Sequence, residues 1–126
     1  MDLYEGRRLT YRIRRIQDHI DVLRAKAEFT APKLSHTAGC GGFRFDSKIE
    51  NYMAEIDELE NQKTQLIAER AAIRTQLLQE INVRASSEQQ ALVLYLYFVE
   101  ERSNRKIAAS LGVSVRHIMR IKQDIV

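Results

Sequence analysis

The chain is predicted to be all-α: a long antiparallel helical hairpin, coiled-coil-like, followed by a C-terminal three-helix unit built around a helix-turn-helix. Three observations predict this. One proline, five glycines and no tryptophan in 126 residues, with Glu, Gln, Arg, Ala, Leu and Ile abundant, favour helix nearly throughout. Two stretches carry apolar residues at alternating spacings of three and four. The segment NRKIAASLGVSVRHIMRIKQ, residues 104–123, has the small residue, turn glycine and apolar offsets that two crossing helices need. The expected division is 1–82 for the hairpin and 83–126 for the C-terminal domain.

The first helix is predicted from Leu9, Ile13, Ile16, Ile20, Leu23 and Ala27, which form one seam. From 29 to 45 the run FTAPKLSHTAGCGGFRF contains Pro32, Gly39, Gly41 and Gly42, so a bend is expected there. Asp46 or Ser47 is expected to cap the second long helix. Its seam is Ile49, Tyr52, Ile56, Leu59, Leu66, Ile73, Leu77 and Ile81, widened by Met53 and Ile67 and interrupted by Lys63 and Arg70. Such a helix is about 36 residues, roughly 54 Å long. Folding about the bend places Ala27 near Ile49, Ile20 near Ile56 and Leu9 near Leu66. It also brings Arg12, Arg14 and Arg15 within about a turn of Glu58 and Glu60, an attraction that sets orientation more than stability. The first helix ends its pairing before the second does. Residues from about 70 to 81 must therefore pack on the C-terminal helices or on another copy of the chain. The latter predicts a homodimer through the long helices.

The C-terminal unit opens near Ser86 and Ser87, where Ser87 followed by Gln90 has the spacing of a capping box. Leu92, Tyr95, Leu96 and Val99 are the expected inner face of its first helix, broadened by Val93, Tyr97 and Phe98. In the next two helices Ile107, Leu111, Val113, Ile118 and Ile121 fall at core offsets. Ala108 allows close approach and Gly112 a left-handed turn. Ser114 sits where an N-cap belongs. The helix over 114–125 then has the character of a DNA-reading helix, presenting Val115, Arg116, His117, Met119, Arg120, Lys122 and Gln123. Arg105 and Lys106 join them from the preceding helix. Residues 101–126 hold six basic side chains against two acidic ones, a balance of +4, which leaves −1 for the rest of a chain at +3. Basicity is thus concentrated where a phosphate backbone would dock. Arg116 and Arg120 suit bidentate contacts to guanine in the major groove; Ser114 and Lys122 suit phosphate. A dimer would set two such helices on one duplex.

QQALVLYLYFVEERSNRKIAASLGVSVRHIMRIKQDIV resembles the region-four domain of bacterial sigma factors. It is closer still to small phage and prophage transcriptional regulators of the ArpU and RinA type. The matching residues are Leu94 and Tyr97, then Ile107, Ala108 and Leu111, then Ser114, Arg116, Ile118 and Arg120. Residues 100–106, EERSNRK, lack the aromatic residue expected before the first motif helix. The resemblance implies a sequence-specific regulator of phage or prophage genes that binds double-stranded promoter DNA, with host RNA polymerase as a further partner. The alternatives are a small terminase-like DNA-packaging protein, which usually carries its DNA-binding unit first, and a coiled-coil adaptor without a DNA role.

Other chemistry finds little support. His19, His36 and His117 are far apart, and Cys40 has no partner cysteine. No C-x-x-C, H-E-x-x-H, G-x-S-x-G or G-x-x-x-x-G-K-[ST] string is present, so neither an enzyme nor a cofactor is expected. His36 and Cys40 fall two ligands short of a structural zinc site. MDLYEGRRLTYRIRR has no apolar core of a signal peptide, and no apolar run approaches a membrane span. With a single cysteine, a reducing cytoplasm is the expected location, and the phage-regulator resemblance implies that of a bacterial host.

Overall fold

The computed structural model describes residues 1–36 and 42–125, and side chains outside 30–47. Among the described residues there are five α-helices and no strand: α1 (Glu5–His36), α2 (Gly42–Arg84), α3 (Glu88–Leu94), α4 (Asn104–Leu111) and α5 (Val115–Gln123). The protein is all-α, with a long helix pair ahead of the C-terminal helices.

The long helices outrun their expected limits. Pro32 lies within α1, four residues before its end at His36, and does not stop the helix there. α2 opens at Gly42 rather than at Asp46 or Ser47, because FRFDSK contains nothing that stops a helix from growing backwards. The remainder of the expected bend, residues 37–41 with Gly39, Cys40 and Gly41, lies outside the described residues.

Contacts divide the chain into two compact units, Tyr11–Ala68 and Met1–Thr10 with Glu69–Val126. In the first, Ile20, Leu23 and Ile56 are buried together, with Ile16, Tyr52 and Leu59 against them. Lys63 donates to Gln17 Oε1 at 2.6 Å and Arg24 pairs with Glu60 at 2.9 Å, so the two helices run antiparallel. The partner of Glu60 is therefore Arg24; Arg12, Arg14 and Arg15 are exposed. Met53 and Ile67 are also exposed, at 49% and 39%, and do not widen the seam. One neighbouring helix covers one narrow stripe, and a broader face would need a second neighbour.

The second unit has two cores on either side of α3. One contains Leu3, Leu77, Ile81, Leu94, Phe98 and Val99. The other contains Val93, Leu96, Ile107, Ala108 and Ile118. Ile73, Leu77 and Ile81 thus find their cover on the C-terminal helices of the same chain. Residues 1–10 join this unit as well, which their local pattern does not announce. Gly6 permits the approach of α1: a Cβ there would lie 3.2 Å from Leu77 Cδ1 and 3.6 Å from the Phe98 carbonyl oxygen.

Coverage from two sides corrects the expected inner face of α3. Leu92 is 43% exposed, whereas Leu94, which the expected stripe leaves out, is fully buried. Ser87 caps α3 by accepting from Gln90 N, but Gln90 Oε1 turns to Ser86, accepting from its N–H at 2.7 Å and its hydroxyl at 2.6 Å. The capping box is therefore only half formed. Beyond Leu94 the helix widens into a π turn over Tyr95–Val99, with Glu100 N donating to Tyr95 O. The extra residue rotates the subsequent positions by about 100°, which carries Phe98 into the first core. Glu101 then takes a left-handed φ of 58° and ends the turn.

Candidate nucleic-acid interface

α4 and α5 owe their mutual geometry to three residues between Ser103 and Ser114. Ser103 caps α4, its hydroxyl accepting from Lys106 N at 3.2 Å. Gly112 ends it at φ 68°, ψ 31°. No atom lies within 4 Å of where a Cβ would stand at Gly112, so backbone conformation alone calls for glycine there. Ser114 is extended and caps α5 by accepting from His117 N at 3.1 Å. Ile118 is fully buried against Val93, Leu96, Ile107 and Ala108, which fixes the rotation of α5 about its axis.

That rotation decides which side chains face outward. Val115, Arg116, Met119, Arg120 and Gln123 recur at helical spacing and line one shallow, exposed depression. Arg105 and Lys106 are exposed on α4, Ser114 is exposed at the turn, and His117 is half-buried. Arg120, in the last turn, also sits where a cation is favoured by the helix dipole.

Lys122 is different. It lies four residues beyond Ile118, shares its face, and is 8% exposed. Its ammonium lies 3.3 Å from the centroid of the Tyr97 ring, and the Arg7 guanidinium stands 3.9 Å from the same centroid. Burial, and secondarily the charge of Arg7, lower the Lys122 pKa from its ordinary value to about 8. The expected phosphate contact thus has an intramolecular aromatic partner and lies off the exposed face of α5. Local periodicity already places Lys122 on the core side; its charge argued the other way.

Several functional neighbours were not singled out by sequence. Arg7 donates from Nε to the Tyr97 carbonyl at 3.1 Å and from Nη2 to the Arg102 carbonyl at 2.9 Å, tying residues 1–10 to the chain just ahead of α4. Glu101 accepts from the Thr10 hydroxyl at 2.6 and 2.8 Å and pairs with Arg74 at 3.3 Å. Arg70 donates to Thr10 Oγ1 at 3.0 Å, which explains a charge in the middle of an apolar seam. These partners of the N-terminal segment lie some 60–95 residues away in sequence, beyond the reach of any local pattern.

Among the described residues no three His, Cys, Asp or Glu side chains gather where they would hold a metal ion. His36 and Cys40 fall outside the described side chains. No helix among the described residues is long and apolar enough to cross a membrane.

Residues 87–126 match the family model for Sigma-70, region 4. The match begins at the cap of α3 and takes in α3, α4 and α5, so this segment is similar to a region-4 domain of the helix-turn-helix type. Comparison of the chain with curated proteins and with solved structures returns no match. The match suggests a DNA-binding role for the C-terminal helices.

Proposed function

We propose that the protein is a sequence-specific transcriptional regulator of phage or prophage genes, reading the major groove of promoter DNA with α5. The observation that carries this is the outward face of that helix. Val115, Arg116, Met119, Arg120 and Gln123 are exposed side by side on a helix whose opposite face is anchored by Ile118. Arg116 and Arg120 are four residues apart, about 6 Å along the axis, which suits two neighbouring base pairs. Arg105, Lys106 and the Ser114 hydroxyl hold flanking phosphates. Val115 and Met119 offer apolar surface to thymine methyl groups. The ArpU/RinA-like resemblance of residues 89–126 supports the phage setting, and the region-4 match supports RNA polymerase as a partner beside the DNA. The setting is then the cytoplasm of a bacterial host. Two copies through the long helices would read a repeated half-site.

Selection from a fragmented host-plus-phage DNA pool at about 150 mM salt, with sequencing of the bound fraction, tests the reading. Enrichment of one site is expected, and an inverted repeat would add the dimer. On that site Arg120→Ala should flatten base preference at one position by about 1–3 kcal/mol. Lys106→Ala should weaken all sequences alike and reduce the salt slope by about one. Even recovery of every fragment, or of none, would overturn the proposal.

A further inference from the structure

The inward seam of α2 accounts for one side of that helix only. On the other side Thr64, Ala68, Ala71, Thr75, Leu78 and Asn82 recur at spacings of 4, 3, 4, 3 and 4, and all six are exposed. That is the spacing of a helix that lies along a second helix. The surface around this outer seam is short of charge. Of the fifteen exposed positions from 61 to 83, Glu69 alone is charged, in a chain whose residues are 29% charged. The same helix shows Glu50, Glu55, Asp57 and Glu58 to solvent just upstream, so the change is local. A helix face that meets only water ordinarily carries charge. Ile67 and Leu78 add apolar surface on this side, at 39% and 40% exposure.

We infer that this outer seam of α2 is a self-association surface, on which the same seam of a second copy lies antiparallel, centred on Ile73. Reversal about that residue sets Leu78 opposite Ala68 of the second copy, Ala71 opposite Thr75, and Thr64 opposite Asn82. The largest side chain thus meets one of the smallest, and at both ends a hydroxyl meets an amide with which it can hydrogen-bond. Every charged residue from Glu60 to Arg84 comes level with an uncharged one, so no like charges meet. A parallel pair fails on both counts. Each residue would face its own copy, Leu78 on Leu78 and Ala68 on Ala68, and each charge its like. Because the seam complements its own reverse in both size and charge, the occupant is a second copy and not an unrelated helix. Alanine and threonine let the two axes approach to about 8 Å. The seam is about 27 Å long, which is short for a specific interface, so the dimer exchanges at about micromolar concentration and is not obligate. Pairing here gives a face to the two-copy arrangement proposed above and does not require α5 to read DNA.

Sedimentation equilibrium of the full chain, without DNA and across the micromolar range, measures the association. A monomer–dimer equilibrium is expected. Ala71→Glu should weaken it by about tenfold or more, since two carboxylates then enter the centre of the seam, with helical content and melting unchanged where the chain is monomeric. Gln62→Glu, at an exposed position of α2 off the seam, should leave it unchanged. Orientation is read by disulfide trapping in a Cys40→Ser background. Chains with Ala68→Cys mixed with chains with Leu78→Cys should form the mixed disulfide on oxidation, while neither forms one with itself. Like positions stand ten residues apart along the pair, about 15 Å and beyond the reach of a disulfide. A monomer at every concentration, equal weakening by Ala71→Glu and Gln62→Glu, absence of the mixed disulfide, or a self-disulfide of either single variant overturns the inference. Duplex binding is read separately by fluorescence anisotropy. A trapped dimer that binds no duplex keeps the seam and removes the DNA reading; a monomer that binds one site selectively does the reverse.

Discussion

Glu101→Gly and Glu101→Ala separate two opposing effects at the junction ahead of α4. Glu101 has φ 58°, a left-handed conformation that costs a side-chain-bearing residue about 1 kcal/mol. Against this stand the hydrogen bond from Thr10, at 2.6 Å to a carboxylate only 14% exposed, and the longer Arg74 contact. A hydrogen bond to a charged group contributes about 1.5–3 kcal/mol, and the Arg74 pair, with its arginine a third exposed, adds about 1 kcal/mol at most. Glycine removes these contacts and relieves the strain, so it should destabilise the protein by about 1–3 kcal/mol. Alanine removes the same contacts and keeps the strain, and should lie about 1 kcal/mol below glycine. Urea unfolding monitored by helical circular dichroism measures both. A glycine variant as stable as the wild type would show that the Thr10–Glu101–Arg74 network contributes no more than the strain it offsets, about 1 kcal/mol. Equal glycine and alanine variants would show that the positive φ carries no cost.

The other predictions concern caps, core and charge. Ser114→Ala should cost about 1 kcal/mol by leaving His117 N without its cap, measured by the same unfolding assay. Phe98→Ala should cost about 3–5 kcal/mol, because the ring is fully buried among Leu3, Leu77, Ile81 and Leu94; a loss below 1 kcal/mol would mean the core collapses freely onto the gap. The lowered Lys122 pKa has a definite sign. Between pH about 8 and the ordinary lysine value of 10.5 the unfolded chain binds this proton and the folded chain has lost it, so this group makes stability rise with pH in that window. Lys122→Met should remove that rise, seen as a flatter plot of urea midpoint against pH from 7.5 to about 9.5; an unchanged slope would refute the assignment.

Sequence reached furthest where a residue's role is set by its neighbours along the chain. Gly112, Ser114 and Ile118 could be assigned because turn, cap and core offset all act within a few residues. The long seams were legible for the same reason, and each of Leu9, Ile13, Ile20, Leu23, Ile56, Leu66, Leu77 and Ile81 is buried. Leu92 falls outside the core and Leu94, absent from the expected face, falls inside it, because α3 lies between two cores, where a one-sided periodicity no longer identifies the inner face. The π turn compounds this by inserting a residue that no propensity marks. Lys122 was assigned by charge when its spacing from Ile118 was the better guide. The roles of Arg7, Thr10 and Glu101 could not be read locally, since each depends on a partner at least 90 positions away.

The docking of residues 1–10 onto the C-terminal unit bears on how the protein is made. A ribosome releases Leu3, Arg7 and Thr10 long before Phe98, Arg102 and Glu101 exist to receive them. Domains that close locally can fold as they emerge, but this one must hold its leading segment unsatisfied until the last helices arrive. The unit that carries α5 is therefore completed only after synthesis has passed Ile118. A region-4 segment expressed from residue 87 would contain every matched residue and still lack Leu3, Leu77 and Ile81, half of the core that covers Leu94 and Phe98.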